Sequence, residues 1–186
     1  MNARLKFSDS LNLIKSIRTS GTITPSSNRL IRRLLSSIDF GSARCIVELG
    51  PGNGCVTRAI LERLHPDSIL ICLEVNEDFA TRLLELNDSR LRIYTACASS
   101  IRQILDELEI HQVDHIVSSL PLALIDDEIV TSILASVGTN LREGGQFLQY
   151  QYSLKNYSNV KPVFKDVKVK FTLRNMPPAF VYECTK

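Results

Sequence analysis

Three glycines at alternate positions, Gly50, Gly52 and Gly54, sit between the apolar run Cys45–Leu49 and a segment with helical spacing. Glycine accepts positive φ and lets a ligand approach the backbone closely. The helix that follows begins with N–H groups that have no partner inside it. The spacing is G-x-G-x-G, one residue short of the dinucleotide fingerprint G-x-G-x-x-G. No Gly-Lys-Ser/Thr follows, so the loop is not a phosphate P-loop either. Glu48 precedes the glycines, and Glu74 closes a second apolar run about 20 residues beyond them, where an acidic side chain can bind ribose hydroxyls. Loop, position and acid together describe a site for an adenosine-type ligand across the carboxyl ends of strands.

Further along, Ser118-Ser119-Leu120-Pro121-Leu122 ends a fourth apolar run, and Pro121 also serves as a plain strand terminator. Tyr150 and Tyr152 share one face of a strand by period two. Their rings either pack under a neighbouring helix or attract ammonium and methylated ammonium groups, by about 0.5–2 kcal/mol each. His65, His111 and His115 fall on a helix end, a loop and a strand, and His115 reads as a packing residue. The five cysteines, Cys45, Cys55, Cys72, Cys97 and Cys184, include no C-x-x-C, which argues against zinc and a disulfide framework. No metal site is expected.

These residues need a scaffold, and the middle of the chain alternates two periods. Strands are predicted at Cys45–Leu49, 69–75, 91–94, 113–120 and 146–152, the last after a turn at Gly144-Gly145. Helices are predicted at 56–64, 79–86, 101–108 and 129–137. Such alternation reads as βαβ units on a parallel sheet, and "ILICL" is as apolar as a strand buried on both faces requires. Residues 167–173 alternate apolar with Lys168, Lys170 and Thr172, a strand with one wet face. A turn at Asn175-Met176-Pro177-Pro178 and a last strand at 179–184 follow, which makes the two final strands antiparallel to each other.

The 186 residues, 44% hydrophobic and 23% charged, describe one domain of a soluble globular protein rather than a disordered chain. The net charge of +2 is too small to signal nucleic acid by itself. No apolar run reaches the roughly 20 residues that span a bilayer, and charges interrupt the N-terminus where a signal peptide would be apolar. Residues 1–20 are instead predicted to form a basic amphipathic helix, with Phe7, Leu11, Leu13, Ile14 and Ile17 on one broad face. It either packs on its own domain or lies on a membrane surface. Arg29, Arg32 and Arg33 mark a second basic helix, and residues 1–36 are expected to be a helical extension of the domain.

"VELGPGNG" (47–54) resembles motif I of the class I S-adenosylmethionine-dependent methyltransferases, and Glu74 matches their ribose-binding acid. A more specific resemblance covers most of the chain. "SGTITPSSNRL" (20–30), "VELGPGNGCVTRAI" (47–60), "IVSSLPL" (116–122), "GGQFLQYQYS" (144–153) and "NMPPAFVY" (175–182) occur in order. Together they resemble the bacterial phospholipid N-methyltransferases, which methylate phosphatidylethanolamine stepwise towards phosphatidylcholine. The resemblance implies an α/β, Rossmann-like sheet of seven strands, mostly parallel with an antiparallel last strand and helices on both faces.

It also implies roles. Glu48, Gly50, Gly52, Asn53 and Gly54 would hold the methionine part of S-adenosylmethionine, and Glu74 its ribose. Asn53 stands where a Thr is common. Many relatives read Gly-Asp-Ala at the end of strand three, with the Asp on the adenine amino group, whereas this chain reads Ala96-Cys97-Ala98. Cys97 is a poor carboxylate substitute, so backbone near Ala98 and packing on Val75 would hold adenine. Ser118 would complete the cofactor site, and Ser119, Leu120, Pro121, Tyr150 and Tyr152 the acceptor site. Tyr150 or solvent would take the proton that the amine loses, and S-adenosylhomocysteine would be the product. Adenine and amide methylases carry an aromatic after the proline, where this chain has Leu122, which favours a small headgroup on an apolar tail. The implied partners are a phospholipid headgroup and an anionic membrane surface met by the N-terminal helix, with the protein cytoplasmic and peripheral on the inner membrane. Two alternatives stay open: an rRNA adenine dimethyltransferase, and a non-catalytic relative that binds cofactor or lipid without turnover.

Overall fold

The computed structural model describes residues 27–172 and 177–186. The expected helix at 1–20, Thr24-Pro25-Ser26 of the "TPSS" segment and the Asn175-Met176 half of the late turn lie outside the described residues; Ser27 is described and caps the first helix, its Oγ accepting from Leu30 N at 3.2 Å. In chain order the elements are α1 (Asn28–Leu34), β1 (Cys45–Leu49), α2 (Cys55–Leu61), β2 (Ile69–Glu74), α3 (Glu77–Leu84), β3 (Leu91–Thr95) and α4 (Ile101–Glu107). Then follow β4 (Val113–Ser118), α5 (Asp127–Asn140), β5 (Leu141–Gln151), α6 (Tyr157–Val160), β6 (Asp166–Thr172) and β7 (Ala179–Thr185). Single 3-10 turns at Ala98–Ser100 and Leu122–Leu124 follow β3 and β4.

The sheet runs β3-β2-β1-β4-β5-β7-β6. Strands β1 to β5 are parallel, and β7 is antiparallel to both β5 and β6. This is the Rossmann-like methyltransferase arrangement that the resemblance implies. The strand order reverses between β1 and β4, and a crevice opens at such a switch point outside the carboxyl ends of the strands. The glycine loop sits on that crevice.

Period two divides the central strands between two cores. Val47, Leu49, Ile71, Leu73, Ile116 and Phe147 face α4 and α5. Ile46, Leu70, Cys72, Val117, Leu148 and Tyr150 face α1 and α2. Helix α5 buries Val130, Ile133, Leu134 and Val137, the i, i+3, i+4, i+7 stripe of an amphipathic helix. It begins two residues before the predicted start, because Asp127 and Glu128 favour the positive N-terminal end of the helix dipole. Burying each aliphatic side chain contributes about 1.5–3 kcal/mol, so the two layers fix the sheet from both sides.

One local expectation is corrected. Gly144-Gly145 is not a turn ahead of the fifth strand but an irregularity inside β5. The β4 register passes from Val113↔Leu141 to His115↔Gln146 across it. Gly144 has φ +71°, and a Cβ on Gly145 would lie 2.8 Å from Arg142 O and 2.9 Å from Asp114 O. Asp114 itself ties the lower ends of three strands, accepting from Arg44 N, Cys45 N and Arg142 Nε. Burial pushes its carboxyl up, but these donors outweigh it and hold the group below the usual carboxylate range.

Candidate active site

The first strand delivers the loop. Gly50 N donates to Leu73 O at 2.9 Å, the last rung between β1 and β2. The chain then turns through positive φ at Gly50 (69°), Gly52 (56°) and Gly54 (77°), which residues with a Cβ adopt only under strain. Gly54 N donates to Pro51 O at 3.1 Å and Gly54 caps α2. Asn53 is exposed at the tip, its Oδ1 accepting from Cys55 N at 3.3 Å.

Glu74 is 1% exposed and braces this loop. Its Oε2 accepts from Gly52 N at 2.9 Å and its Oε1 from Asn76 N at 3.0 Å. Asn76 then caps α3, accepting from Asp78 N and Phe79 N. Glu48 lies behind the loop, fully buried, and accepts from Cys72 Sγ at 3.5 Å. Burial and the neighbouring Glu48 push the Cys72 thiol well up, so it stays protonated and donates.

A narrow, mostly apolar cavity opens on the α5 side of the strand ends. Gly50, Glu74, Val75, Cys97, Ala98 and Leu120 line it, bringing together six residues singled out in the sequence. Cys97 is half-buried and precedes the 3-10 turn, its carbonyl accepting from Ser100 N at 2.9 Å. Ile125 and, from α5, Ile129 and Ile133 supply an apolar wall that sequence reasoning did not assign. Their helical periodicity was visible, but not the face of the sheet on which the helix would pack. An apolar slot with a buried carboxylate at one end suits a flat base joined to a polyol. The described residues therefore fit an adenosine ligand on their own chemistry.

The β4 end is built by short-range bonds. Ser118 is fully buried and its Oγ accepts from Leu120 N at 3.3 Å, while Ser119 N donates to Leu49 O at 2.9 Å. Pro121, at φ −78° and ψ 68°, centres an inverse γ-turn closed by Leu122 N on Leu120 O at 2.9 Å. Leu122, in the place of an aromatic, is a core residue at 1% exposure. Gln149 Nε2 also donates to Leu120 O at 3.0 Å, and to Tyr150 O at 2.6 Å. The sequence reading passed over Gln149, and the only signal for it was a polar residue inside an otherwise buried strand.

Tyr150 and Tyr152 do stand together, their rings 6.0 Å apart and edge to face. Tyr150 is buried on the α1 side of the sheet, opposite Gln149, and Tyr152 is 40% exposed beyond the end of β5. Neither lines the cavity described above. On the other face, burial pushes the Tyr182 phenol up to about 12, so it stays protonated at neutral pH. His115 is buried in mid-strand, where desolvation lowers its pKa and keeps it neutral, as a packing residue.

No protein-family model matches the chain. Solved structures share its fold. 1,6-Didemethyltoxoflavin-N1-methyltransferase from Burkholderia thailandensis, with S-adenosylhomocysteine bound, aligns with a TM-score of 0.75 over 100% of this chain and 91% of that one, at 14% identity. The N-methyltransferase NodS from Bradyrhizobium japonicum WM9 aligns with a TM-score of 0.66 over 85% and 93%, at 15% identity. At such identities the likeness is one of fold. A curated relative is nearer in sequence: the ornithine lipid N-methyltransferase of Singulisphaera acidiphila is 34% identical over 166 residues, 88% of this chain and 86% of that one. The chain belongs to the family of that enzyme, and its fold is that of S-adenosylmethionine-dependent methyltransferases.

Proposed function

We propose that the protein transfers methyl groups from S-adenosylmethionine to the primary amine of a membrane lipid. The observation that carries this reading is the 34% identity to a lipid N-methyltransferase over nearly the whole of both chains. The motif resemblance points to phosphatidylethanolamine and its methylated forms as acceptor. The name of the relative favours a second acceptor, ornithine lipid, which also presents a primary amine on an apolar tail.

When bound, S-adenosylmethionine supplies an electrophilic methyl group on a sulfonium. The chain's own work is to hold, orient and exclude water. Glu74 takes the ribose hydroxyls, and Glu48, Gly50, Gly52, Asn53 and Gly54 surround the methionine end. Val75, Ala98 and the isoleucines of α5 clasp the adenine, with Cys97 beside it in place of an acid. Ser118 and Ser119 end β4 where cofactor and acceptor meet, and Leu120 and Pro121 form the acceptor side. Tyr152, exposed beyond the end of β5 and backed by the Tyr150 ring, offers a ring face that attracts an ammonium whether or not it is methylated. The proton lost by the amine goes to solvent.

The test offers labelled cofactor to vesicles of phosphatidylethanolamine, vesicles containing ornithine lipid, and ribosomal RNA. Label in either lipid supports the reading and identifies the acceptor. Label in RNA alone overturns it.

We place the protein at the cytoplasmic surface of the inner membrane, as a single domain with its N-terminal segment as the membrane contact. No helix among the described residues is long and apolar enough to cross a membrane. Arg4, Lys6, Lys15 and Arg18 would each gain about 1 kcal/mol near anionic headgroups. Deleting residues 1–18 is expected to abolish co-sedimentation with anionic liposomes and leave cofactor affinity unchanged. Undiminished sedimentation would contradict the assignment.

A further inference from the structure

A row of paired residues crosses the sheet just below the strand ends: Leu73, Leu49, Ser118, Gln149 and Tyr182. Residues paired side by side in a sheet point to one face, here the face of the cofactor cavity, which Leu73 lines. The row is apolar over β2 and β1 and turns polar from β4 onward. This is the region that an acceptor reaches when the cofactor lies over β1 and β2.

Gln149 is 1% exposed. Its amide nitrogen donates to Leu120 O and to Tyr150 O. Two carbonyls use both hydrogens of the amide, which fixes its orientation and leaves Oε1 as an acceptor. That oxygen is buried and has no hydrogen-bond partner among the described residues. The same holds for Gln151 Nε2, Tyr182 Oη and both side-chain polar atoms of Asn156, in residues no more than 5% exposed. They are neighbours: Gln149 pairs with Tyr182, and the Tyr182 ring lies 6.4 Å from that of Tyr157, next after Asn156. Native proteins leave few buried polar atoms unmatched. Gln149 joins this cluster to Leu120, which lines the cavity, and four such side chains are what a polar headgroup would satisfy.

Leu120 O cannot serve as the amine's acceptor. It already takes Leu122 N and Gln149 Nε2, one donor for each lone pair. The oxygen next to it that lacks a donor is Gln149 Oε1.

We propose that Gln149 Oε1 accepts an N–H of the lipid amine and sets a preference for the less methylated acceptor. The proposal rests on the lipid amine reading above. Each methyl group added replaces one N–H, and a trimethylated nitrogen has none to donate. Aromatic faces do not distinguish these states by hydrogen bonding, but an amide oxygen does. Gln149 therefore supplies a discrimination that Tyr150 and Tyr152 do not.

The test uses the full chain saturated with S-adenosylhomocysteine, so that binding is measured without turnover. Dissociation constants are measured for short-chain phosphatidylethanolamine and phosphatidylcholine, and for short-chain ornithine lipid and its N-trimethyl form. Gln149→Met, which lacks donor and acceptor, is expected to reduce the preference for the amine form about tenfold, the loss of one charge-assisted hydrogen bond. Affinity for the trimethyl form and for S-adenosylhomocysteine stays within about twofold of wild type, below the loss of one such bond. Equal weakening of both lipid forms means that the amide only braces Leu120, and overturns the proposal. Gln149→Glu keeps an acceptor oxygen and is expected to keep the preference; it carries the test if Gln149→Met does not fold, and loss of preference in it also overturns the proposal. Wild-type protein that binds neither lipid pair contradicts the lipid reading itself, and this inference falls with it.

Discussion

Glu74→Ala is expected to weaken S-adenosylmethionine binding about a hundredfold. The carboxylate is almost wholly buried, and it already accepts from Gly52 N and Asn76 N. The vicinal hydroxyls of a ribose would donate to this same charged carboxylate. Hydrogen bonds to a charged acceptor contribute about 1.5–3 kcal/mol each. Losing two of them removes about 3 kcal/mol or more, and each 1.4 kcal/mol is tenfold. The glycine loop and the start of α3 lose their brace at the same time. Glu74→Gln keeps one oxygen and is expected to lose only about tenfold, one such bond. Isothermal titration of each variant with the cofactor checks both figures. Unchanged affinity in Glu74→Ala would remove Glu74 from the site.

Gly54→Ala is expected to destabilise the protein by about 2–3 kcal/mol and to weaken the cofactor as well. At φ +77° an alanine is strained, by about 1–2 kcal/mol. Its Cβ would lie 2.7 Å from Leu83 Cδ2, a side chain buried at 2% exposure in α3. Repacking against α3 adds about 1 kcal/mol or more. Gly41 supplies the control, since its nearest neighbour to an added Cβ is Asp39 Oδ1 at 3.4 Å, and Gly41→Ala should change stability little. Urea unfolding of the three proteins measures the difference. A Gly54→Ala midpoint equal to wild type would show that the loop does not need a left-handed residue there.

The sheet was legible because its signals are local. Cys45–Leu49 is an apolar run before the glycines broken only by Glu48, and burial on both faces favours such a run. Glu74 could be found by its distance from the loop, because a βα unit has a near-fixed length. The opposite wall of the cavity was not legible in the same way. Ile129 and Ile133 show helical spacing, yet which face meets the strand ends depends on how α5 crosses the sheet. Tyr150 and Tyr152 were correctly read as neighbours, but period two does not say which face of the sheet they take. Gln149 was hidden for the opposite reason. A polar residue between Leu148 and Tyr150 resembles ordinary alternation, and only its bonds to Leu120 O and Tyr150 O reveal a buried amide. The one-turn helix α6 and the 3-10 turn at Leu122–Leu124 are too short to leave a period. Gly144-Gly145 was misread because two glycines signal a tight turn, and the extra residues in a strand signal nothing until its partner strand is in place.

The central claim is that a lipid amine receives the methyl group. It is tested most directly by extracting the lipid after incubation of the full chain with S-adenosylmethionine and vesicles of phosphatidylethanolamine and ornithine lipid, and measuring its mass. The expected result is a headgroup heavier by one or more methyl groups, with one S-adenosylhomocysteine formed per methyl group added and none without lipid. Lipid of unchanged mass, alongside methylation of ribosomal RNA under the same conditions, would contradict it.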